Sequence, residues 1–239
     1  MPAGLDGEPN PIRSPEREVV LSAVADRVCT QTHDRVLVGI EGRAGAGKST
    51  FANELADELR ERGLVAIRST TDSFHRSRAE RLQRGATSAD GYYLDSHQLE
   101  RIVNELLTPF RQGSGTVLVA AFDEPTDTPL EEVIAVAPNA VLVFDGLFLH
   151  RPEFGRPWDV SVYLDADDRR DTEWLRFLLH DLPNSPTERA AELDRRLEAA
   201  RWPRYRRGWS SYVDDVAPLS RATVVVDNND LARPRLLDS

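Results

Sequence analysis

Nine consecutive residues, 42–50, form a loop whose composition suits the binding of phosphate groups. The first eight of them have the spacing G-x-x-x-x-G-K-[ST]. Glycines let successive backbone N–H groups point at phosphate oxygens, and the start of a helix adds partial positive charge. In this pattern Lys48 reaches the β- and γ-phosphates and the Ser49 hydroxyl ligates Mg²⁺. The predicted nucleotide-binding residues are Gly42, Arg43, Ala44, Gly45, Ala46, Gly47, Lys48, Ser49 and Thr50; the alternative is a glycine-rich turn that binds nothing.

The lysine of this loop stands out against the composition of the chain. Lysine and arginine together number 30, and Lys48 is the only lysine among them. A lysine at any chosen position is therefore improbable. This one falls where phosphate chemistry favours a compact ammonium over a planar guanidinium.

A second residue suited to metal binding follows an apolar run. The segment 141–144 is entirely hydrophobic and ends at Asp145, as a buried strand ending in a carboxylate does. In phosphate-binding proteins such a carboxylate helps to hold Mg²⁺ beside the loop serine, which predicts Ser49 and Asp145 as metal ligands. The alternative is an aspartate that caps the following turn.

Other residues decide among the reactions that a phosphate loop can serve. A guanine-reading segment of the Asn/Thr-Lys-x-Asp type needs a second lysine. Because Lys48 is the only lysine in the chain, a GTPase that reads guanine in this way is excluded. A Leu-Ser-Gly-Gly-Gln-like transporter signature is also absent. A small-molecule kinase needs a carboxylate at the end of a neighbouring strand to accept the proton of the acceptor hydroxyl, and Asp72 satisfies this requirement. The alternatives are that Asp72 caps a helix, or that the chain is a regulatory ATPase without an acceptor.

Seven segments together resemble the uridine kinase and phosphoribulokinase group of P-loop kinases, particularly the bacterial uridine kinase-like proteins. They follow the family's order along most of the chain, which is far more specific than any one of them. The segments are 42–50, 71–76, 91–96, 121–123, 144–149, 162–165 and 224–228.

The resemblance implies an α/β P-loop fold with a mainly parallel, five-stranded core sheet, helices on both faces and a helical lid. It implies ATP and Mg²⁺ as cofactors, Asp72 as the catalytic base, Asp145 in the metal site and Asp95 on the hydroxyls of a ribose-like acceptor. Arg176 matches a lid arginine that neutralises the transferring phosphoryl group. The family's second lid arginine is missing from 179–181, so its role is unassigned or passes to Arg169 or Arg170.

The acceptor side departs from the family. Where uridine kinases resemble Tyr-Asp-x-x-x-His, this chain has Phe122 and Asp127. We therefore expect uridine to be a poor substrate and the acceptor to be neutral or cationic, with donors facing Asp127; the alternative is that Asp127 caps a turn.

Three further candidate acceptor residues each have a structural alternative. His75 is expected either to face the acceptor or to cover the sheet edge. Tyr93, with Tyr92, stacks on a base or fills the core, and Asp95 could instead cap a helix.

Short apolar strands alternate with helical patterns, which predicts one α/β domain over 18–232 with a doubly covered, mainly parallel sheet. A flexible extension over 1–17 and a tail over 233–239 flank it. Strands are predicted over 36–40, 64–69, 116–122, 140–144, 160–164 and 223–226, and helices over 18–32, 51–63, 96–107, 170–180, 187–201 and 205–215.

Composition limits the partners. The net charge is −10, so we expect no nucleic-acid binding, although arginines interleaved with Trp202, Tyr205 and Trp209 leave an RNA-binding alternative to a salt-bridged helix. There is no apolar run of about 20 residues, which predicts no membrane span. A single cysteine, Cys29, and no export signal favour the cytoplasm. The expected partners are ATP and a small hydroxyl acceptor, with a homo-oligomer left open.

Overall fold

A computed structural model describes residues 14–167, 185–188 and 201–237. None of the helices in these ranges is long and apolar enough to cross a membrane. The helices are α1 (Pro15–Cys29), α2 (Lys48–Glu61), α3 (Arg78–Arg81), α4 (Ala89–Asp95), α5 (Leu99–Arg101), α6 (Thr108–Arg111), α7 (Arg201–Val216) and α8 (Pro218–Arg221). The strands are β1 (Val36–Gly42), β2 (Val65–Thr70), β3 (Thr116–Asp123), β4 (Thr128–Ala135), β5 (Ala140–Gly146), β6 (Val160–Asp165), β7 (Val224–Asp227) and β8 (Arg235–Leu237).

The central sheet has the strand order β2-β5-β1-β6-β7-β8. The first five strands are parallel, and β8 joins the edge antiparallel to β7. The predicted five-stranded parallel core is therefore confirmed. All the parallel strands end at one edge of the sheet, where the loops after β1, β2 and β5 come together.

Both faces of the sheet are buried, as expected for parallel strands. Alternate side chains of β1 separate the two layers: Val36, Val38 and Ile40 pack with α1 and α2, and Leu37 packs with the helical segment that precedes β3. The second face is covered by that helical segment together with β3. The packed layers on the two faces of the sheet together hold the ends of the parallel strands in place.

The strand predicted over 116–122 forms, but it lies outside the central sheet. It is β3, and it pairs antiparallel with β4, with Phe122 opposite Pro129. The sequence did not predict β4 because it carries a proline and two glutamates and most of its residues are exposed. Since β3 packs against the turn that follows β2, the hairpin forms one wall beside Asp72.

The folded region extends beyond the predicted domain limits at both ends. Helix α1 begins at Pro15 rather than at residue 18, because Ser14 caps the helix by accepting a hydrogen bond from the backbone amide of Arg17, and a proline suits the first helical position. At the other end β8 lies within the predicted tail. Its backbone pairs with β7, which gives these exposed residues a fixed place.

The helix predicted over 96–107 is displaced. Helix α4 ends at Asp95, and a new helical segment starts at Leu99 and continues past Pro109 to Arg111. Residues Ile102–Leu107 are wound as a π-helix, and the amide of Thr108 bonds to the carbonyl of Val103. This wider turn directly precedes Pro109 and leaves room for a ring that would break a regular α-helix.

Candidate active site

The loop between β1 and α2 has the backbone shape of a phosphate cradle. Gly45 and Gly47 have φ values of 77° and 82°, which glycine adopts most readily. A Cβ at Gly42 would lie 2.6 Å from the carbonyl oxygen of Leu164, so a side chain there would force the loop away from β6. The nucleotide-binding residues predicted from the sequence thus form one turn at the start of α2.

Asn228, directly after β7, holds this loop from behind. Its amide nitrogen donates to the carbonyl of Ala46 over 2.6 Å, and its side chain is fully buried. Arg17 of α1 donates to the Asn228 side-chain oxygen at 3.4 Å and to Glu54 of α2 at 2.6 Å. The loop is therefore braced by α1 and by the segment after β7, a support that the phosphate motif itself did not reveal.

The groups expected to meet phosphate and metal lie together at the end of the sheet. Lys48 Nζ donates to the carbonyl of Arg43 within the loop, over 2.9 Å. Ser49 Oγ donates to Asp145 Oδ2 over 2.8 Å. A hydroxyl and a carboxylate are ligands that Mg²⁺ accepts, and the glycine cradle has the N–H groups that phosphates need. These residues fit a nucleoside triphosphate with Mg²⁺.

Arg68 is a charged member of this site that sequence reasoning missed. It lies in β2 and donates to Asp145 Oδ1 over 2.5 Å and to the carbonyl of Val143 over 2.5 Å. Asp145 is almost wholly buried, and within the described part of the chain one of its oxygens accepts from Ser49 and the other from Arg68. The signal in the sequence was an arginine inside an otherwise apolar and small-residue strand.

The register of β2 against β5 places Asp72 beside the metal-type carboxylate. Thr70, the last residue of β2, lies directly opposite Asp145. The chain then turns through the 3-10 segment Thr71–Phe74, where Thr71 is buried against Gly146. A Cβ at Gly146 would lie 2.2 Å from Thr71 Oγ1, so glycine is required for this contact. Asp72 is the next residue in the chain, so the tight contact between Thr71 and Gly146 fixes its position.

Asp72 lies in a mixed electrostatic environment of two carboxylates, a histidine and a lysine. Its side chain reaches solvent, yet the surrounding protein is dense enough that burial raises its pKa above the ordinary 3.8. The negative charge of Asp145 also raises this pKa, whereas His75 and Lys48 lower it. Asp72 is thus within electrostatic reach of both the phosphate-loop lysine and Asp145.

Two histidines lie next to Asp72. His75 Nδ1 is 3.0 Å from the Asp72 carbonyl oxygen, and the His75 and His97 rings have centroids 4.7 Å apart. His97, between α4 and α5, is buried, and burial holds its pKa well below the ordinary value. The structure therefore places His75 beside both Asp72 and His97. Sequence reasoning missed His97, although it directly follows the family-like segment 91–96.

Of the predicted acceptor residues, Tyr93 and Asp95 make contacts within the protein. Tyr93 is buried among aromatic rings, 5.1 Å from Phe148, and Arg151 lies over its ring. This favours the core-filling alternative. Asp95 is the last residue of α4 and pairs with Arg84 over 2.7 Å. It therefore does not cap the start of the next helix.

Phe122 and Asp127 lie at the hairpin that forms the wall beside Asp72. Phe122 is buried near the end of β3. Asp127 has a positive φ of 53° in the turn, and its Oδ1 accepts from the backbone amide of Arg78 over 2.7 Å. The geometry favours a structural use of Asp127 at the start of α3, since an acceptor would have to compete with that amide.

Helix α7 is connected to the phosphate loop through a buried carboxylate. Glu41, the residue before Gly42, is fully buried and accepts from Tyr212 Oη, the Leu149 amide and His150 Nδ1. Burial and the negative charge of Glu41 both raise the pKa of Tyr212, which keeps its hydroxyl protonated as a donor. This network fixes α7 beside the end of β1.

The basic stretch that suggested an RNA-binding alternative has a structural use where it is described. Arg204 is buried, lies 5.9 Å from the Tyr92 ring and donates to the carbonyls of Arg81 and Ala86. The predicted lid residues Arg169, Arg170 and Arg176 lie outside the described residues.

Comparison with known proteins agrees with this geometry. The model of the Phosphoribulokinase / Uridine kinase family matches residues 37–205. The chain belongs to this family. It is 28% identical to a uridine kinase of Leuconostoc citreum over 62% of this chain and 69% of the relative. It is 30% identical to a uridine kinase of Staphylococcus haemolyticus over 61% and 68% of the two chains.

Its fold is similar to that of a solved structure described as a possible uridine kinase from Bacillus stearothermophilus. The TM-score is 0.66 at 23% identity, and the match covers 87% of this chain and 97% of the other. The P-loop α/β fold predicted from the sequence is confirmed, and the family's kinase homologues indicate a phosphotransferase.

Proposed function

We propose that this family member transfers the γ-phosphoryl group of ATP to a hydroxyl of a small metabolite. The observation that carries the proposal is the register of Thr70 opposite Asp145, which brings Asp72 to the same sheet edge as Lys48 and Ser49. A base on that edge faces the end of a triphosphate held by the loop. A protein that only hydrolyses ATP slowly has no use for such a base.

In this proposal Asp72 accepts the proton of the acceptor hydroxyl as its oxygen bonds to the γ-phosphorus. The bond between the γ-phosphorus and the bridging oxygen of ADP breaks, and ADP leaves with that electron pair. Lys48 and the N–H groups of the loop stabilise the negative charge on the β- and γ-phosphates. Mg²⁺, held by Ser49 and Asp145, would neutralise charge on the same oxygens when bound. Arg176 stays a predicted lid residue that stabilises the transferring group, with Arg169 or Arg170 as a second cation.

For the acceptor, the proposal starts from the relatives, which are uridine kinases and phosphorylate a nucleoside. We expect uridine to be a poor substrate here because Phe122 cannot hydrogen-bond a pyrimidine. The Asp127 carboxylate already binds the Arg78 amide, so its use as an acceptor-binding group requires that this bond be exchanged. Another small alcohol is thus the favoured acceptor, and His75 beside Asp72 is available to contact it.

A screen of purified protein tests the reaction. ATP turnover is measured against nucleosides, sugars and vitamins, with Lys48→Ala as the matched blank. Acceptor-dependent ADP formation above this blank supports a kinase. Slow hydrolysis that no acceptor stimulates would instead support a regulatory ATPase.

A second experiment tests whether Phe122 and Asp127, which differ from the family's tyrosine and histidine, make uridine a poor substrate. It compares kcat/KM for uridine and cytidine in the natural protein and in Phe122→Tyr/Asp127→His. Efficient uridine phosphorylation that the double variant does not improve would restore a plain uridine kinase.

A further inference from the structure

Three side chains with metal-binding atoms converge beside the phosphate site. Asp72 and His75 lie on the turn after β2, and His97 lies in the break between α4 and α5. One ligand-type atom from each lies within 4.8 Å of the other two. Among the described residues this is the one group of three histidines, cysteines or carboxylates close enough to hold an ion.

The backbone fixes the two segments that supply these side chains. His75 and His97 face each other in an isolated antiparallel bridge, flanked by bonds from the Arg76 amide to the Ser96 carbonyl and from the Gln98 amide to the Phe74 carbonyl, 2.9 and 2.8 Å. The Gln98 side chain adds a third bond, to the His75 carbonyl, at 2.7 Å. The histidines are thus held together by main-chain pairing and do not depend on a chance side-chain contact.

The hydrogen bonds of the two rings suit metal ligands. His75 Nδ1 lies 3.0 Å from the carbonyl oxygen of Asp72, and a carbonyl can only accept. Nδ1 therefore carries the proton, and Nε2 keeps a lone pair. A ring N–H bonded to a carbonyl is the usual arrangement behind a metal-ligating histidine. In His97, Nε2 is buried without a hydrogen-bond partner among the described residues.

We propose that Asp72, His75 and His97 form a site for one divalent transition-metal ion of the Zn²⁺ or Co²⁺ class, separate from the Mg²⁺ position at Ser49 and Asp145. Two imidazoles and one carboxylate suit such ions, whereas Mg²⁺ prefers oxygen ligands. Ligand atoms about 2.0–2.2 Å from a tetrahedral ion lie roughly 3.4 Å apart, so the three ligand atoms must approach one another by about 1 Å to bind an ion. Asp72 and His75 are partly exposed and can make this movement around the buried His97.

Occupation of this site has a consequence that rests on the proposed function. An ion bound to the Asp72 carboxylate withdraws negative charge from it and makes it a much weaker acceptor for the hydroxyl proton. Zn²⁺ therefore inhibits phosphoryl transfer without displacing ATP or Mg²⁺, and a chelator that removes Zn²⁺ restores the rate. The site makes the kinase responsive to transition metals.

Metal binding is tested on the purified full chain without nucleotide. Co²⁺ is followed by its visible absorption, and Zn²⁺ by calorimetry. We expect one ion per chain, retained in excess Mg²⁺, with affinity at least about 10-fold lower in His75→Asn and in His97→Asn. His33→Asn is the control, because His33 is an exposed histidine beside Asp159 and outside the cluster. It should bind the ion as the natural protein does.

Several outcomes would overturn the site: no binding of Co²⁺ or Zn²⁺, equal displacement by Mg²⁺, or unchanged affinity in folded His75→Asn. Because His97 is buried, thermal unfolding is measured for each variant, and His75→Asn decides the question if His97→Asn fails to fold. Zn²⁺ inhibition of turnover is a separate measurement. Binding at the three residues without inhibition would contradict the role of Asp72 as base and leave the metal site standing.

Discussion

Arg68 and Asp145 form an ion pair across β2 and β5, with the Arg68 guanidinium 2.5 Å from Asp145 Oδ1. The other oxygen of Asp145 accepts from Ser49. The carboxylate predicted to hold Mg²⁺ therefore carries a protein cation on the side away from the phosphate loop. This cation balances the buried charge of Asp145 and opposes the approach of Mg²⁺ to it.

Arg68→Leu should change both stability and the requirement for Mg²⁺. Without Mg²⁺ the variant should lose on the order of 1–3 kcal/mol of unfolding free energy, because a buried carboxylate loses its charged donor. The Mg²⁺ concentration for half-maximal turnover should fall several-fold, since one repelling charge is gone. Arg101→Leu, which breaks a pair on the surface, is the control. A higher Mg²⁺ requirement in Arg68→Leu would contradict this assignment.

Lys48→Ala should abolish turnover and leave the fold intact. The ammonium contacts the carbonyl of Arg43 in its own loop, so its loss should lower the unfolding free energy by less than about 1 kcal/mol without nucleotide. Phosphoryl transfer should disappear because the charge on the β- and γ-phosphates is no longer balanced. Calorimetric unfolding and ADP formation measure the two effects. Near-normal turnover would show that the phosphate site is elsewhere.

Gly146→Ala tests the contact that positions Asp72. The new Cβ would lie 2.2 Å from Thr71 Oγ1, so Thr71 and the turn that carries Asp72 must shift. We expect a stability loss of about 1–3 kcal/mol and a clear fall in kcat. Gly115→Ala is the matched control, because a Cβ there has no atom within 4 Å. If chemical denaturation and kinetics show Gly146→Ala behaving like Gly115→Ala, this contact does not position the base.

The phosphate loop, the strand carboxylate and the five-stranded core could be predicted because each has a local signature: glycine spacing, or an apolar run with a defined end. Hairpin strand β4 could not be predicted, because its residues are mostly exposed and its pairing with β3 is set by tertiary contacts. The continuation of the helix through Pro109 depends on a π-turn that has no simple sequence signal.

The site was predicted in part for the same reason. The loop residues, Asp72 and Asp145 follow strand ends and meet where parallel strands terminate. Arg68 and His97 act through contacts between segments distant in sequence, which one residue's neighbours do not reveal. The sequence position of Asp127 predicts either an acceptor ligand or a turn cap, and its bond to the amide of Arg78 could not be predicted because the two residues are 49 positions apart.

The raised pKa of Asp72 predicts a pH-dependent stability cost. The ionised carboxylate is disfavoured in the folded state, so the natural protein should lose stability as the pH rises through this pKa. Asp72→Asn does not titrate there. The variant should therefore gain stability relative to the natural protein as the pH rises above about 4, the ordinary pKa of an aspartate, and the difference should vanish in acid. Urea unfolding across this range measures it; a difference independent of pH would contradict the prediction.

The most direct test of the central claim is kcat for Asp72→Asn with the acceptor that the screen identifies. Asparagine keeps the size of the side chain but cannot accept the hydroxyl proton, so we expect kcat to fall by roughly 10²–10⁴ while ATP affinity is preserved. Asp90→Asn, an exposed aspartate at the start of α4, should keep the natural rate. Normal turnover by Asp72→Asn, or loss of its ATP binding, would contradict the assignment of Asp72 as the base.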